Sequence, residues 1–347
     1  MNPVEKIQNR FHGELGAYIN NCAFNRSGIL LTVVSRRLAC LLNAARIGNS
    51  YNSFSTAIAS AAGSLATAAV DIPVYSGDNS HVRAMMRQLE PIESHLRGAY
   101  IHGSLGSGEE IGYSDFDALV LLKDEVFDSS WGLSNVAARL SSLQRTMLDF
   151  DPLQHHGWFV LVESDLRYYC DAYFPVELFK HARSLLKTNG THLDIAVRNS
   201  ETENRDVFNT VAMSVINKTA SYPEPMNLYQ LKSLLSEFML LPALYLQAAQ
   251  GAGVFKKYSY GLAKEDFSAK EWEIMDEVSA IRSEWVNKNS YTMNVLLSLN
   301  LTARIILGRK FSSAIPSNIH SRMTRDFYRR IHALAASMHV KINGIAP

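Results

Sequence analysis

Cysteine is scarce in this 347-residue sequence: there are three, Cys22, Cys40 and Cys170, and they lie far apart in the chain. An odd and widely spaced set does not predict a disulfide framework, and nothing in it resembles the ligand spacing of a zinc site. A small disulfide-stabilised secreted domain is therefore excluded. A reducing compartment fits this usage best, so we expect a cytoplasmic protein.

An excess of charge of either sign is also missing. Lys and Arg together number 34 and Asp and Glu 33, which leaves a formal net charge of +1. No bulk electrostatic field therefore favours nucleic acid or an anionic membrane. With 47% hydrophobic and 19% charged residues, the composition is typical of a folded globular chain. Its length suits two domains or one core with helical additions.

Long hydrophobic runs are absent as well. The stretch between Arg46 and Asp71 carries no charge, but Ala, Ser, Thr and Gly dominate it. These residues partition weakly into hydrocarbon, so we expect a small-residue helix packed against another helix, and no membrane span. The N-terminus has charges and no early apolar block, so no signal peptide is predicted.

The patterns that are present divide the chain into three zones. Residues 1–78 and 203–347 show the three- and four-residue apolar spacing of helices. Residues 79–202 mix helices with four predicted strands, "GAYIHG", "DFDALVLL", "GWFVLVES" and "HLDIAV". Strands confined to the middle predict the α+β class, with a small mixed β-sheet core, N-terminal helices and a C-terminal helical bundle.

The middle zone carries the pattern with chemical meaning. In a strand, alternate residues face one side, so Asp115 and Asp117 would point together while Phe116 faces the core. Two adjacent carboxylates repel each other unless a cation lies between them, and Mg²⁺ prefers such oxygen ligands. Gly103 and Ser104 end the preceding strand, where a glycine lets the backbone approach a ligand and a helix start would offer N–H groups to phosphate. Together these residues predict a nucleoside triphosphate site.

The segment "HGSLGSGEEIGYSDFDALV" resembles the signature of the DNA polymerase β-like nucleotidyltransferase superfamily, a hydrophobe-Gly-Ser followed by Asp-hydrophobe-Asp. Its spacing is most similar to the branch of aminoglycoside nucleotidyltransferases and minimal antitoxin-type enzymes. A looser similarity to the C-terminal helices of aminoglycoside adenylyltransferases lies in "KKYSYGLAKEDFSAKEW" and "IRSEW". The resemblance implies a nucleotidyltransferase core and in-line attack on the α-phosphate of an NTP. It also implies two Mg²⁺ ions, with Mn²⁺ as an alternative.

The resemblance also implies a third carboxylate on a later strand, as a metal ligand or general base. Asp194 in "HLDIAV" is our choice, because a strand beside that of Asp115 and Asp117 would be only about 5 Å away. We therefore expect Asp115, Asp117 and Asp194 to be the catalytic and metal-binding residues. Asp171 and Asp165 stay as alternatives, and each could equally cap a turn.

Lysines and histidines give weaker signals. The resemblance implies a lysine from the helical zone on the triphosphate, with Lys257 as first choice and Lys232 as the alternative; a lysine on an amphipathic helix otherwise faces solvent. His155 and His156 are adjacent, and in a strand they would point to opposite faces. We therefore expect a loop cap or a packed ring, with a contact between His156 and nucleotide or acceptor as the alternative.

These patterns lead to one main hypothesis, a Mg²⁺-dependent nucleotidyltransferase. It would move an NMP, with AMP from ATP as first choice, onto a hydroxyl of a small molecule, a protein or RNA. The alternatives are an inactive nucleotide-binding scaffold and a nucleotide second-messenger synthase. The basic helix at 320–341 is expected to be a solvated face, and an RNA or acidic partner is the alternative.

Overall fold

The structure, a computed structural model, describes residues 3–22, 33–63, 65–187, 192–221, 227–286, 312 and 315–344. The chain forms two compact units. The first comprises residues 1–109, 115–170 and 179–198, and the second comprises residues 110–114, 171–178 and 199–347. The predicted division at residue 78 does not coincide with a boundary between units, because the N-terminal helices belong to the same unit as the strands.

The helices and strands alternate along the first 200 residues and give way to helices alone. In chain order the elements are α1 (Pro3–Asn21), α2 (Val33–Ala61), β1 (Thr67–Asp71), α3 (Ser80–Leu89), β2 (Leu96–Ile101), α4 (Gly103–Ser107), β3 (Ala118–Leu122), α5 (Ser130–Phe150), β4 (Phe159–Val162), α6 (Val176–Lys180), β5 (Arg183–Ser184), β6 (His192–Ala196), α7 (Glu201–Ala220), α8 (Leu228–Gln250), α9 (Lys256–Lys264), α10 (Ala269–Ser283), α11 (Ser317–His320) and α12 (Arg325–Asn343). The fold is thus mixed α and β, as predicted at that level.

A four-stranded sheet lies at the centre of the first unit, with the strand order β4-β3-β2-β5. Strand β3 pairs antiparallel with β2 and parallel with β4. Every residue of β3 is buried, which explains why "ALVLL" is apolar throughout and does not alternate with polar residues. Both edges of β3 are occupied, so its neighbours are fixed.

The N-terminal helices pack onto this core. Helix α2 buries Ala44, Ile47, Tyr51, Phe54 and Ile58, a spacing of three and four residues that gives the helix one apolar face. Its Phe54 stacks on Phe11 of α1 at 4.5 Å between ring centroids. The small-residue helix therefore packs against another helix, as predicted. Within the described residues no helix has the length and apolar character needed to cross a membrane.

The last predicted strand lies elsewhere than expected. Strand β6 pairs antiparallel with β1 in a separate two-stranded sheet, where Asp194 is opposite Ala69. The prediction that the strand of Asp194 lies beside the strand after Asp115 and Asp117 is therefore wrong. The physical reason is that β2 and β4 already occupy both edges of β3, which leaves β6 to pair with β1. The Ala-rich sequence of β1 did not predict a strand.

Two cysteines that are distant in sequence meet in the first unit. The Sγ atoms of Cys22 and Cys40 lie 3.4 Å apart, without a disulfide. Burial raises the pKa of the Cys22 thiol to about 12, and the neighbouring Cys40 adds to the shift. The Cys22 thiol is therefore neutral and weakly nucleophilic in its hydrophobic setting.

The second unit is helical over its described part from residue 201 onward, as predicted. Helix α8 begins with a reciprocal cap, in which the Asn227 side chain accepts from the Gln230 N–H and the Gln230 side chain accepts from the Asn227 N–H. Such a cap satisfies two of the donors that a helix start leaves without intrahelical partners. Helices α7 and α12 pack against α8.

Candidate metal and nucleotide site

The two halves of the sequence motif meet at one end of the central sheet. Ile101, the last residue of β2, is opposite Ala118, the first residue of β3. The His102 N–H donates to the Asp117 carbonyl at 3.0 Å, which continues the pairing one step past the strands. Asp115 and Asp117 therefore precede β3 and do not lie within it, a correction to the predicted strand start. They lie beside the Gly103–Ser104 segment, as the motif requires.

Gly103 is the point of closest approach between these halves. Its φ of +62° is in the left-handed region, and a Cβ added to it would lie 2.6 Å from Asp117 Oδ2. Only glycine meets both conditions without strain. Gly103 is also the first residue of α4, so Ser104 lies in the first turn of a five-residue helix. A helix therefore starts at this point of the motif, a possibility that the sequence left as a condition.

Gln154 holds the backbone between the two carboxylates. Its side-chain oxygen accepts from the Phe116 N–H at 2.9 Å, and its side-chain nitrogen donates to the Phe116 carbonyl at 3.1 Å. The same nitrogen donates to the His156 carbonyl at 3.1 Å. Phe116 is fully buried, whereas the side chains of Asp115 and Asp117 are 14% and 27% exposed. The clamp thus fixes a segment that turns its aromatic ring inward and both carboxylates toward the site.

Two histidines contact these carboxylates. His155 Nε2 lies 3.5 Å from Asp115 Oδ2, and His156 Nε2 lies 2.9 Å from Asp117 Oδ1. The cause is the parallel register of β3 and β4, in which Leu119 is opposite Phe159. Continuing that register backward by four residues puts His155 level with Asp115.

Both rings also contact loop carbonyls, and His156 packs on Phe159, as expected of a loop cap or a packed ring. The expectation did not include the contacts with the two carboxylates. It assumed a strand, in which adjacent side chains point to opposite faces. Strand β4 begins only at Phe159, so the irregular backbone of His155 and His156 lets both rings reach the site.

The site sets opposite charge states on two of its histidines. Burial lowers the pKa of His156, but the hydrogen bond and charge of Asp117, with a smaller effect of Asp115, outweigh it and raise that pKa to about 9. Burial lowers the pKa of His102 to about 4, although Asp117 acts in the opposite direction. At neutral pH, His156 is therefore an imidazolium paired with Asp117, and His102 is neutral.

The donor atoms of Asp115, Asp117 and His156 are close enough for a single ion to contact all three. One carboxylate oxygen from each aspartate and a ring nitrogen of His156 all lie within 4.8 Å of one another. Two anionic oxygens and an imidazole nitrogen form a donor set that suits a divalent cation. A bound ion would replace the proton on the imidazole nitrogen, because only the neutral ring is a ligand. The residues therefore fit a metal site.

Asp194, predicted as the third carboxylate, is absent from this group. Its side chain is 67% exposed and lies 3.5 Å from His192 Nε2. His192 also contacts Asp71, at 2.7 Å, on the paired strand β1. Asp194 thus belongs to an exposed cluster on the two-stranded sheet, and the predicted metal-ligand geometry for it is wrong.

The alternative carboxylates have structural partners. Asp165 is 1% exposed and accepts hydrogen bonds from the Val162 N–H at 2.9 Å and from His12 at 2.8 Å. Asp171, in the second unit, accepts from the Val176 N–H at 2.7 Å and the Gly253 N–H at 3.1 Å. Both therefore cap turns, which is the role that the sequence left open for each.

The predicted phosphate-binding lysines are in the second unit. Lys232 is fully buried in α8, and its ammonium lies 5.2 Å from the centroid of the Tyr113 ring. The Tyr113 hydroxyl in turn donates to the Lys232 carbonyl at 2.7 Å. Lys257 is exposed in the first turn of α9. The contact of either lysine with a triphosphate stays a prediction.

Sequence reasoning missed His102 and Gln154 and left the role of His156 open. One available signal was the position of "QHHG" directly before a predicted strand, as "YSDFD" is before another. If two such strands are parallel neighbours, the segments that precede them meet at one end of the sheet. The parallel pairing itself could not be read from the residues.

Comparisons of this chain with protein-family models, with curated proteins and with solved structures found no match. What the site does is therefore inferred from its own residues. They provide a carboxylate pair, an imidazole within reach of the same ion, and a glycine backbone pressed against one of the carboxylates.

Proposed function

We propose that this protein is a Mg²⁺-dependent nucleotidyltransferase that transfers an NMP, with AMP from ATP as first choice, to a hydroxyl group. The observation that carries the proposal is the contact between Gly103 and the Asp117 carboxylate, with Asp115 beside it. Because Gly103 has no side chain, the Asp117 carboxylate can lie directly against a segment whose Ser104 hydroxyl and backbone N–H groups are donors suited to phosphate, so metal ligands and phosphate donors are neighbours. Neither the Gly103 segment nor the carboxylate pair indicates a function alone, but together they suit a triphosphate bound through a divalent cation.

The metal site fits this chemistry. Asp115 and Asp117 would hold Mg²⁺, with two ions expected and Mn²⁺ as the alternative, and His156 lies within reach of the same ion. When bound, such ions neutralise phosphate charge and orient the attacking and leaving oxygens. Gln154 keeps the two carboxylates in place, so little rearrangement is needed when nucleotide arrives.

Phosphate binding would fall mainly to the segment after β2. The Ser104 hydroxyl and the N–H groups of the first turn of α4 are donors suited to phosphate oxygens. Gly103 lets this segment lie beside the Asp117 carboxylate, because it has no side chain. The resemblance implies a lysine as well, with Lys257 as first choice and Lys232 as the alternative.

The proposal is tested by following the α-phosphate. The full-length protein is incubated with each α-³²P-labelled NTP and Mg²⁺, with and without cell extract, and the labelled product is separated by size and class. Label on RNA, on protein or on a small molecule supports the proposal and identifies the acceptor class. Label in a self-made oligonucleotide favours the second-messenger synthase. An Asp115→Asn/Asp117→Asn double variant is the control, and a wild-type signal no greater than this control favours the inactive scaffold.

A further inference from the structure

The third position of the candidate metal site is occupied by a histidine. We propose that His156 supplies a nitrogen ligand, and that this imidazole raises the affinity of the site for Mn²⁺ relative to Mg²⁺, above what the two carboxylates alone would give. The inference rests on the proposed metal site, but it concerns metal identity and does not depend on nucleotidyl transfer. It deepens the proposed function by naming a third ligand and its effect on the relative affinity for these two ions.

The geometry supports ligation by His156. Its ring nitrogen and one oxygen from each of Asp115 and Asp117 lie within 4.8 Å of one another. Among the residues that the structure describes, this group has no third carboxylate as a member. The imidazole therefore occupies the position in which the resemblance implied an acid.

The ring of His156 is already oriented as a ligand. Its Nδ1 lies 3.3 Å from the Gly157 carbonyl, while its Nε2 points to Asp117. Metal-bound histidines almost always donate their other ring N–H to a carbonyl or carboxylate, which fixes the tautomer and leaves the second nitrogen for the ion. The Phe159 ring, with its centroid 5.3 Å away, packs on the imidazole and restricts its rotation.

His155 offers a comparison within the same site. Its Nε2 lies 3.5 Å from Asp115 Oδ2, and its Nδ1 lies 3.3 Å from the Leu153 carbonyl. Its ring nitrogens do not meet the distance limits that Asp115, Asp117 and His156 satisfy together. His155 is thus a matched control: it is an adjacent histidine that contacts the same carboxylate pair, and it is not expected to ligate.

The donor set decides which ion is favoured. Mg²⁺ is a hard cation that binds oxygen ligands and keeps much of its water, so exchanging oxygen for nitrogen costs it affinity. Mn²⁺ binds carboxylates as Mg²⁺ does and is the weakest binder among the first-row transition-metal ions, but it accepts an imidazole nitrogen more readily than Mg²⁺ does. Two carboxylate oxygens and one nitrogen therefore favour Mn²⁺ over Mg²⁺ by a larger margin than an all-oxygen donor set would.

Electron paramagnetic resonance of Mn²⁺ tests this directly. Mn²⁺ is titrated into the full-length protein without nucleotide, Mg²⁺ affinity is measured by competition, and pulsed measurements detect ¹⁴N coupling from a bound imidazole. We expect the coupling in the wild type and in His155→Asn, and its loss in His156→Asn. In His156→Asn the Mn²⁺ affinity should fall at least about tenfold, equivalent to about 1.4 kcal/mol. The Mg²⁺ affinity should change less.

His156→Asp supplies a second variant in case the first does not fold, and circular dichroism checks both. Its all-oxygen set should retain Mn²⁺ without ¹⁴N coupling and shift the relative affinity toward Mg²⁺. Absence of ¹⁴N coupling in the wild type, or its persistence in both His156 variants, overturns the proposal. A protein that shows the coupling but transfers no labelled nucleotide would contradict the proposed function alone, so the two failures are distinguishable.

Discussion

Replacing Gly103 with alanine tests the contact that joins the two halves of the site. The φ of Gly103 is +62° and the new Cβ would lie 2.6 Å from Asp117 Oδ2. Gly108, at the other end of α4, has a φ of +71° and open space where a Cβ would be. The pair Gly103→Ala and Gly108→Ala therefore separates the backbone cost from the cost of displacing a carboxylate.

The expected losses in free energy of unfolding follow from the left-handed backbone and from the displaced carboxylate. A left-handed conformation costs an L-residue about 1–2 kcal/mol, so both variants should lose about that much free energy of unfolding. In Gly103→Ala the Asp117 carboxylate must also rotate away, which breaks its 2.9 Å contact with His156. Because both side chains are partly exposed, we expect that contact to add only about 0.5–1 kcal/mol. Gly103→Ala should thus be the less stable variant by a modest margin.

Metal affinity should distinguish Gly103→Ala from Gly108→Ala more clearly than the free energy of unfolding does. Urea denaturation gives the free energy of unfolding, and isothermal titration calorimetry with Mn²⁺ gives the affinity of the folded protein. Gly108→Ala should bind Mn²⁺ like the wild type, whereas Gly103→Ala should bind it at least about tenfold more weakly, since one ligand has moved. If both variants lose equal stability and both bind Mn²⁺ normally, Gly103 does not position Asp117 and the reasoning fails.

Three further predictions concern the residues around this contact. Truncating the buried amide of Gln154 to alanine should cost about 2–4 kcal/mol of stability and weaken Mn²⁺ binding. The control is Gln144→Ala: this similarly buried amide donates to the backbone and side-chain oxygens of Asn20, and its loss should leave Mn²⁺ binding intact. Calorimetry that finds no difference between the two variants would contradict the role given to Gln154. Asp194→Ala should bind Mn²⁺ as the wild type does, and a large loss would restore that carboxylate to the site. The raised pKa of His156, about 9, stabilises the metal-free protein fully below its unfolded value of about 6.5, and this contribution is lost as the pH rises through 9. NMR titration of the metal-free Asp117→Asn variant should show the pKa of His156 lowered toward or below its ordinary value, and an unchanged pKa would refute the pairing.

Local sequence patterns were sufficient to predict the glycine-serine segment and the pair of acids near it. A glycine-serine at one strand end and two alternating acids at the next strand start are joined by a short connection, so antiparallel pairing of β2 and β3 must bring them together. The same reasoning from neighbouring residues predicted the buried Phe116. These features depend on residues that are close in sequence, which is why the sequence alone contained them.

Long-range strand pairing decided which side chain joins Asp115 and Asp117 as the third potential metal ligand. Asp194 follows a helix on an acid-containing strand, and nothing in its local sequence shows that β6 pairs with β1. His156 lies 39 positions beyond Asp117 in the numbering and reaches it only because β4 pairs parallel with β3. A parallel neighbour requires a crossover, here through α5, and the partner strand is selected by the packing of that helix on the sheet.

The sequence by itself therefore determined the mixed α and β class, the helical character of the C-terminal zone, the glycine-serine segment and the carboxylate pair, because each depends on periodicity or on a short connection. Only the tertiary structure decided that an imidazole lies within reach of that pair, that Gln154 holds the segment between the carboxylates, and that Asp194 lies on another sheet. The physical reason is that a strand has only two edges. Which segments occupy them is settled by the burial of whole apolar faces, and residues far apart in the chain contribute to that burial jointly.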